Sequence, residues 1–216
     1  MDGHEPEPCC FDTWADHHVR RARKKTTASG ITATLLDALD GSGLDGRAVL
    51  DVGCGVGDLA IEAVRRGAGR AAGVELSAES VARARELARE RGVGDRTSFE
   101  VGDGATTDLP PADVVVLNRV VCCYPDVEGL LDNTLAAAGS VYAFTAPPSR
   151  GLAGLVAKTQ VAISNAWYRL RDRKFQGFRT FVHDVDRIDE RVRAAGFRTV
   201  RRERRRLAWE LAVYER

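Results

Sequence analysis

The chain has 216 residues, of which 44% are apolar and 29% are charged, and its formal net charge is +1. This length suits one domain with an accessory cap, and the apolar share is enough for a real core. The near-neutral balance gives no global field that favours nucleic acid or an acidic membrane surface.

The sequence also contains no run that approaches the roughly 18 apolar residues needed to cross a bilayer. Its first ten residues, M-D-G-H-E-P-E-P-C-C, lack the basic and then apolar pattern of a signal peptide. We therefore expect a cytoplasmic protein, either a monomer or a homodimer.

Four of the five cysteines fall in adjacent pairs, Cys9-Cys10 and Cys122-Cys123. Neither pair has the C-x-x-C spacing of a zinc site. Reduced thiols in a cytosolic protein are the simpler interpretation, so no metal site is predicted, and a four-cysteine metal site built from both pairs is the open alternative.

The N-terminal part is helical by pattern. A first helix begins near Phe11 and ends in the basic run Arg20 to Lys25, and a second spans Ala28 to Leu39 before the stop D-G-S-G. We interpret residues 1–43 as an N-terminal helical cap and residues 44–216 as the main domain.

From residue 48 onward, strands and helices alternate. The predicted strands are Ala48–Val52, Ala71–Leu76, Ser98–Val101, Asp113–Asn118 and Val141–Thr145. The predicted helices are Asp58–Arg66, Ala78–Arg91 (capped by Ser77), Val127–Ala138, Gly151–Arg173 and Asp184–Ala195. This order predicts a doubly wound α/β fold with a parallel sheet. The segment at about 150–183 is predicted to be a helical insertion that covers the substrate.

A glycine-rich turn follows the first predicted strand, in the stretch A-V-L-D-V-G-C-G-V-G-D-L-A. Glycine lets the backbone turn sharply and lets a ligand approach closely, and the N–H groups at the next helix start face that ligand. The spacing is G-x-G-x-G, because position 58 is Asp. It fails both the dinucleotide fingerprint G-x-G-x-x-G and the P-loop pattern.

Carboxylates end the next two predicted strands, Glu75 in G-V-E-L-S and Asp103 in V-G-D-G. Glu75 is placed to accept hydrogen bonds from both hydroxyls of a ribose, and Asp103 to accept one from the amine of an adenine. Open α/β sheets bind ligands at the carboxyl ends of their strands. Together with the glycine turn, these residues predict an adenosine site without a pyrophosphate.

These three motifs resemble the successive motifs of class I S-adenosylmethionine-dependent methyltransferases. The resemblance covers about Ala48 to Thr145 and implies a Rossmann-like fold with a seven-stranded, mostly parallel sheet and an antiparallel hairpin at Phe197 to Tyr214. It also implies that S-adenosyl-L-methionine is the cofactor, that Asp51 and the glycine turn bind its methionine end, and that Asn118 lies beside the methyl group. The cofactor-binding residues implied are Asp51, Gly53, Cys54, Gly55, Gly57, Glu75, Leu76, Asp103, Gly104 and Asn118.

The segment after the fourth strand, L-N-R-V-V-C-C-Y-P-D, lines the acceptor site in this class. It lacks the N-P-P-Y pattern of enzymes that methylate amide or base nitrogen, which disfavours a nucleic-acid acceptor. Three stretches are similar to magnesium-protoporphyrin O-methyltransferases: K-T-T-A-S-G-I-T-A-T-L-L-D-A-L, N-R-V-V-C-C-Y-P-D and F-R-T-F-V-H-D-V-D-R-I. That family has a histidine where this chain has Cys123. We therefore expect a small-molecule acceptor from natural-product, tetrapyrrole or related metabolism.

Four side chains are candidate general bases, and all remain open at this point: His183, Tyr124, His18 and His17. A carboxylate acceptor would need no base at all. Phe175, Phe178 and Phe181 either pack on the sheet or line an apolar acceptor pocket.

Two other functions stay open. The arginine runs Arg20 to Lys25 and Arg201 to Arg206 raise the alternative of an RNA methyltransferase, although solvated faces are the simpler interpretation. The uncertain base raises the alternative of a non-methylating member that uses the cofactor as a scaffold.

Overall fold

The structure is a computed structural model that describes residues 11–24, 29–171, 177–205 and 208–216. In the first helix, the side chains of residues 13, 14, 16 and 17 are also outside the description. The cysteine pair Cys9-Cys10 and Phe175 lie outside the described residues, as does the side chain of His17.

One seven-stranded sheet forms the centre of the molecule, with the order β3-β2-β1-β4-β5-β7-β6. Its strands are β1 (Ala48–Val52), β2 (Arg70–Glu75), β3 (Thr97–Val101), β4 (Ala112–Asn118), β5 (Ala138–Ala146), β6 (Arg198–Arg205) and β7 (Trp209–Glu215). The first five strands are parallel, while β7 runs antiparallel to both β5 and β6. This arrangement confirms the predicted doubly wound sheet with an antiparallel C-terminal hairpin.

Helices cover both faces of the sheet. They are α1 (Asp12–Lys24), α2 (Ile31–Gly41), α3 (Asp58–Arg65), α4 (Ala78–Glu90), α5 (Val127–Ala137), α6 (Gly151–Leu170) and α7 (Val185–Ala194), with short 3-10 turns at Gly94–Arg96 and Val121–Cys123. The core forms two clusters, one with α2, α3 and α4 on one face and the other with α5 and α7 on the other face. None of these described helices is long and apolar enough to cross a membrane.

The two central strands are apolar because both of their faces are covered. In β4, residues 114–117 are buried in the row V-V-V-L, as expected for a strand between two helical layers. Val49 of β1 pairs with Val114, so β1 and β4 start and end at nearly the same level. Their carboxyl ends therefore open at one edge of the sheet, which is where the glycine turn and Asn118 lie.

The N-terminal helices pack directly on this domain. Leu35, Leu36 and Leu39 of α2 are buried in the core cluster shared with α3 and α4. Helix α1 is attached to α4 by a hydrogen bond from Ser77 Oγ to Asp12 and by an ion pair between Arg23 and Glu90 at 2.5 Å. The separation of residues 1–43 as a cap remains a proposal.

Several predicted boundaries differ from the observed ones by one to three residues, and two of these differences have a clear physical cause. Ala138 was predicted to end α5, but it is the first residue of β5, because it pairs with Ala112 of β4. Asp184 was predicted to begin α7, but it is the N-cap, and its side chain accepts a hydrogen bond from the N–H of Asp186. The predicted cap of α4 is confirmed, since Ser77 Oγ accepts from the N–H of Ser80 at 3.0 Å.

Candidate functional site

The glycine turn depends on three residues in the left-handed region, with φ of 69° at Gly53, 54° at Gly55 and 75° at Gly57. A Cβ at Gly53 would lie 2.4 Å from Cγ2 of Val120, and one at Gly57 would lie 2.7 Å from the ring of Phe99. Residues with a side chain are therefore disfavoured at Gly53 and Gly57, both by the positive φ and by the lack of space for a Cβ. The turn leads directly into α3, and the first residues of that helix, Asp58 and Leu59, line the adjoining cavity.

Glu75 is fixed beside the turn by the backbone. Its Oε2 accepts a hydrogen bond from the N–H of Gly55 at 2.9 Å, and its Oε1 accepts one from the N–H of Ser77 at 3.1 Å. Burial raises the pKa of this carboxyl, while these N–H donors act in the opposite direction. Each oxygen has a second lone pair, so the carboxylate retains capacity for two further donors, such as the hydroxyls of a ribose.

Asp51 lies at the end of β1 and is 2% exposed. Burial raises the pKa of its carboxyl well above the ordinary value, and the nearby carboxylates Asp58 and Glu75 raise it further. A cationic ligand group would relieve this repulsion. Asp51, Cys54 and Leu76 all line the same cavity.

Asp103 and Tyr124 form a pair across two loops. The hydroxyl of Tyr124 donates to Oδ1 of Asp103 at 2.6 Å, and the N–H of Ala105 donates to the same oxygen at 2.9 Å. The neighbours Gly102 and Gly104 line the cavity. Burial and the Asp103 carboxylate raise the pKa of the Tyr124 phenol, so this residue acts as a hydrogen-bond donor near neutral pH.

Asn118 ends β4 with both ends of its amide fixed. Its Nδ2 donates to Oγ1 of Thr32 at 3.0 Å, and its Oδ1 accepts from Oγ1 of Thr145 at 3.2 Å. The Thr145 hydroxyl oxygen in turn accepts from the N–H of Arg119 at 2.8 Å. These bonds join α2, β4 and β5 at the cavity wall and hold the Asn118 side chain in one orientation.

One continuous cavity of about 840 Å³ extends from the glycine turn to the inner face of α6. Such a volume lies within the usual range of roughly 300–1,000 Å³ for small-molecule sites. At its far end, Phe178 makes edge-to-face contacts with Tyr168 of α6 at 5.0 Å and with Phe11 at 5.4 Å. The cavity thus has a polar end at the turn and an aromatic end under α6.

The histidine candidates are not equally placed. The ring Nε2 of His183 lies 2.9 Å from the carbonyl oxygen of Tyr124, which requires Nε2 to carry the proton. The described lining of the cavity does not include His183, but it does include His18, which is exposed. Phe178 lines the cavity, whereas the ring of Phe181 lies against His183 at 5.7 Å.

Arg119 is a cavity residue that sequence reasoning missed. It has a φ of 66°, the only positive φ of a non-glycine residue in the described part of the chain. Its guanidinium lies 5.4 Å from the ring centre of Trp209, and both residues line the cavity. A strained backbone at a ligand cavity suggests a functional role. The sequence feature that could have pointed to Arg119 is its position as a single cation in the apolar segment L-N-R-V-V.

Cys122 and Cys123 line the cavity after Arg119, with their Sγ atoms 3.5 Å apart. A hydrogen bond with the neighbouring thiol lowers the pKa of Cys122. Among the described residues, no group of three or more His, Cys, Asp or Glu side chains is arranged to bind a metal ion.

Comparison with known proteins agrees with this geometry. A family model described as the ANTKMT methyltransferase domain matches residues 51–145. The chain is also similar to the solved structure of magnesium protoporphyrin IX methyltransferase (ChlM) from Synechocystis PCC 6803 with bound SAH, at 21% identity and a TM-score of 0.72 over 95% of this chain and 96% of that one. The [4+2]-cyclase SpnF has a TM-score of 0.71 at 17% identity, over 95% and 93% of the two chains.

Among curated proteins, the ribosomal protein L11 methyltransferase of Pectobacterium carotovorum subsp. carotovorum (strain PC1) is 32% identical over 136 residues. The match covers 63% of this chain and 43% of that relative. The chain therefore spans less than half the length of this curated relative.

The fold is that of class I methyltransferases, and the predicted fold is confirmed. The residues that carry the predicted cofactor motifs, 51–145, match a methyltransferase domain, and the similar structures include ones with bound SAM and SAH.

Proposed function

We propose that this protein transfers the methyl group of S-adenosylmethionine to a small-molecule acceptor bound under α6. The main support is the single cavity that joins the glycine turn to an aromatic end formed by Phe11, Tyr168 and Phe178. The turn and Glu75 form the end of the cavity that would bind the cofactor. The acceptor would therefore bind at the aromatic end, next to the methyl group.

The residues at the turn fit the cofactor. The open lone pairs of Glu75 suit the ribose hydroxyls, and the glycine turn leaves space where side chains would clash. Asp51 supplies negative charge toward the methionine end. Asp103 is assigned to the adenine amine because its neighbours Gly102 and Gly104 line the cavity, although the described lining does not include Asp103 itself. Asn118 borders the reaction centre between these groups and the acceptor. When bound, S-adenosylmethionine supplies an electrophilic methyl group on a sulfonium.

The acceptor that best suits this cavity carries an anionic oxygen, such as a carboxylate. Tyr124 donates a hydrogen bond to Asp103 and has a raised pKa, and His183 is not part of the described cavity lining, so neither is well placed as a base. His18 lines the cavity on its exposed side and is the remaining candidate base if the acceptor needs one. A carboxylate needs no base. Arg119 supplies a cation at the cavity that would orient such a group.

A protein acceptor is the second candidate, because the curated relatives are named as methyltransferases of the ribosomal protein L11. An RNA acceptor has less support. In β6, Arg201 pairs with Glu203 at 2.7 Å, and Arg202 and Arg204 both pair with Glu210, so these cations are engaged within the protein.

The test uses S-adenosylmethionine with a labelled methyl group and an extract separated into small molecules, protein and RNA. We expect label in a small molecule other than S-adenosylmethionine itself, and no such product with Glu75→Ala. Label in the protein or RNA fraction would contradict the small-molecule proposal, and no label in any fraction would favour a non-methylating role.

A further inference from the structure

Helix α6 exposes an apolar stripe to solvent. Of the seven large apolar side chains that are exposed in the described residues, five belong to this helix. They are Leu152 (73% exposed), Leu155 (63%), Ile163 (66%), Trp167 (41%) and Leu170 (85%). Their spacing places them on one side of the helix, and we call this set the outer stripe of α6.

The opposite side of α6 packs against the rest of the protein. Ala153, Gly154 and Ala157 are buried against the protein, and Val161 and Tyr168 line the cavity. Within the described residues, the outer stripe belongs neither to the two core clusters nor to the cavity lining. An apolar stripe of this length on the surface of a soluble domain marks an interaction site.

The charges of α6 are all positive. The helix contains no Asp or Glu, while Lys158 and Arg169 flank the outer stripe on one side. Arg171 follows the helix, and its guanidinium lies 4.6 Å from the ring centre of Trp167. A helix with an apolar stripe, flanking cations and a terminal tryptophan has the composition of one that lies in a membrane interface.

Charge also disfavours a second copy of this chain as the occupant. Two α6 helices packed stripe to stripe would bring Lys158 and Arg169 of both copies to the contact without an acidic partner from either helix. An anionic lipid surface complements the same cations, and its acyl boundary accepts the apolar side chains. The net charge of +1 gives no global attraction, so the attraction is local to this helix.

We propose that the outer stripe of α6 docks the protein on a membrane surface that contains anionic lipid. The inner side of the same helix forms the wall of the cavity, so docking places that wall next to the lipid. The proposal concerns binding alone and does not depend on the acceptor or on methyl transfer.

The test is flotation of the full chain with vesicles of phosphatidylcholine alone or of phosphatidylcholine mixed with phosphatidylglycerol. We expect binding to the mixed vesicles that weakens with salt, and much weaker binding to the neutral ones. Ile163→Glu should reduce the binding by roughly tenfold or more, since it places a carboxylate in the stripe. Lys158→Gln with Arg169→Gln should reduce it by a similar factor at low salt.

The matched control is Val200→Glu, which adds the same charge at an exposed valine in β6. It should bind vesicles like the unaltered protein, and thermal unfolding checks that each variant is folded. Failure of the folded protein to float with anionic vesicles would overturn the proposal. So would a dimer, measured by light scattering, that Ile163→Glu dissociates while vesicle binding is absent.

Discussion

At the scale of single residues, the site consists of polar side chains whose positions are set by backbone groups. Glu75 accepts from two backbone N–H groups, and Asn118 is fixed through Thr32 and Thr145. Side chains fixed in this way meet a ligand without first losing rotamer freedom, and that favours tight binding. The predicted roles of both residues can be tested one at a time.

Glu75→Ala removes the acceptor for both ribose hydroxyls. We expect it to weaken S-adenosylhomocysteine binding by about 2 kcal/mol or more, roughly 30-fold, which calorimetry measures directly. Glu100→Ala is the control, because it removes an exposed carboxylate from the neighbouring strand β3. Equal affinities for the two variants would show that Glu75 does not contact the cofactor.

Cofactor binding should also depend on pH through Glu75. Burial raises the pKa of this carboxyl above its ordinary value of 4.5, and only the ionised form accepts from both hydroxyls. Affinity should therefore fall as the pH decreases, and the fall should begin at a higher pH than for an ordinary glutamate. Calorimetry across the acid range measures it. In Glu75→Gln the part of this fall that comes from Glu75 should disappear, while Asp51, whose pKa is also raised, contributes its own part in both proteins. An identical pH profile in the two proteins would contradict the role of Glu75.

Substitutions at Arg119 are expected to affect the stability of the protein and its methyl transfer in different ways. Glycine adopts its φ of 66° without penalty, so Arg119→Gly should be about 1 kcal/mol more stable than Arg119→Ala in chemical denaturation. Both variants should lose roughly 30-fold in methyl transfer to an anionic acceptor, while Arg119→Lys should retain more of it. Full activity in Arg119→Gly would show that the strained arginine has no role in acceptor binding.

At the scale of elements, the turn between β1 and α3 determines where the cofactor lies. Gly53 and Gly57 face Val120 and Phe99, so the turn is packed against a neighbouring loop and a neighbouring strand. It therefore cannot open to admit a side chain without disturbing the core. This packing makes the turn a rigid element, which suits precise placement of a methyl group.

Gly57→Ala should destabilise the protein by about 2–4 kcal/mol in chemical denaturation, because the new Cβ meets the buried ring of Phe99 in a backbone region that alanine avoids. Gly92→Ala is the control for conformation alone. Its φ is 69° and its surroundings are open, so it should cost only about 1 kcal/mol. Equal losses in the two variants would mean that contact with Phe99 is unimportant.

At the scale of the whole molecule, the sheet and its ligand edge were predictable from the sequence. The apolar strands and the glycine turn are local signals, and the parallel order follows from their alternation with helices. The end of α5 was not predictable in this way, since pairing of Ala138 with Ala112 overrides a helical pattern. Such pairing is a tertiary effect that residue spacing does not reveal.

The acceptor end was harder to predict because it depends on contacts between distant loops. Tyr124 and Asp103 are 21 positions apart, yet their hydrogen bond makes Tyr124 a support for the predicted adenine partner. His183 lies just before α7, and its ring Nε2 makes a hydrogen bond with the carbonyl oxygen of Tyr124, which is 59 positions away in the sequence. Residue type alone marked both as candidate bases, whereas the loop geometry decides which groups they meet.

The most direct test of the account is a crystal structure of the protein with S-adenosylhomocysteine. We predict ribose hydroxyls on Glu75, the amino-acid end at the glycine turn beside Asp51, and the sulfur near Asn118, with open space between it and the aromatic end under α6. Density for the ligand away from the turn, or a sulfur that faces solvent instead of that space, would contradict the account.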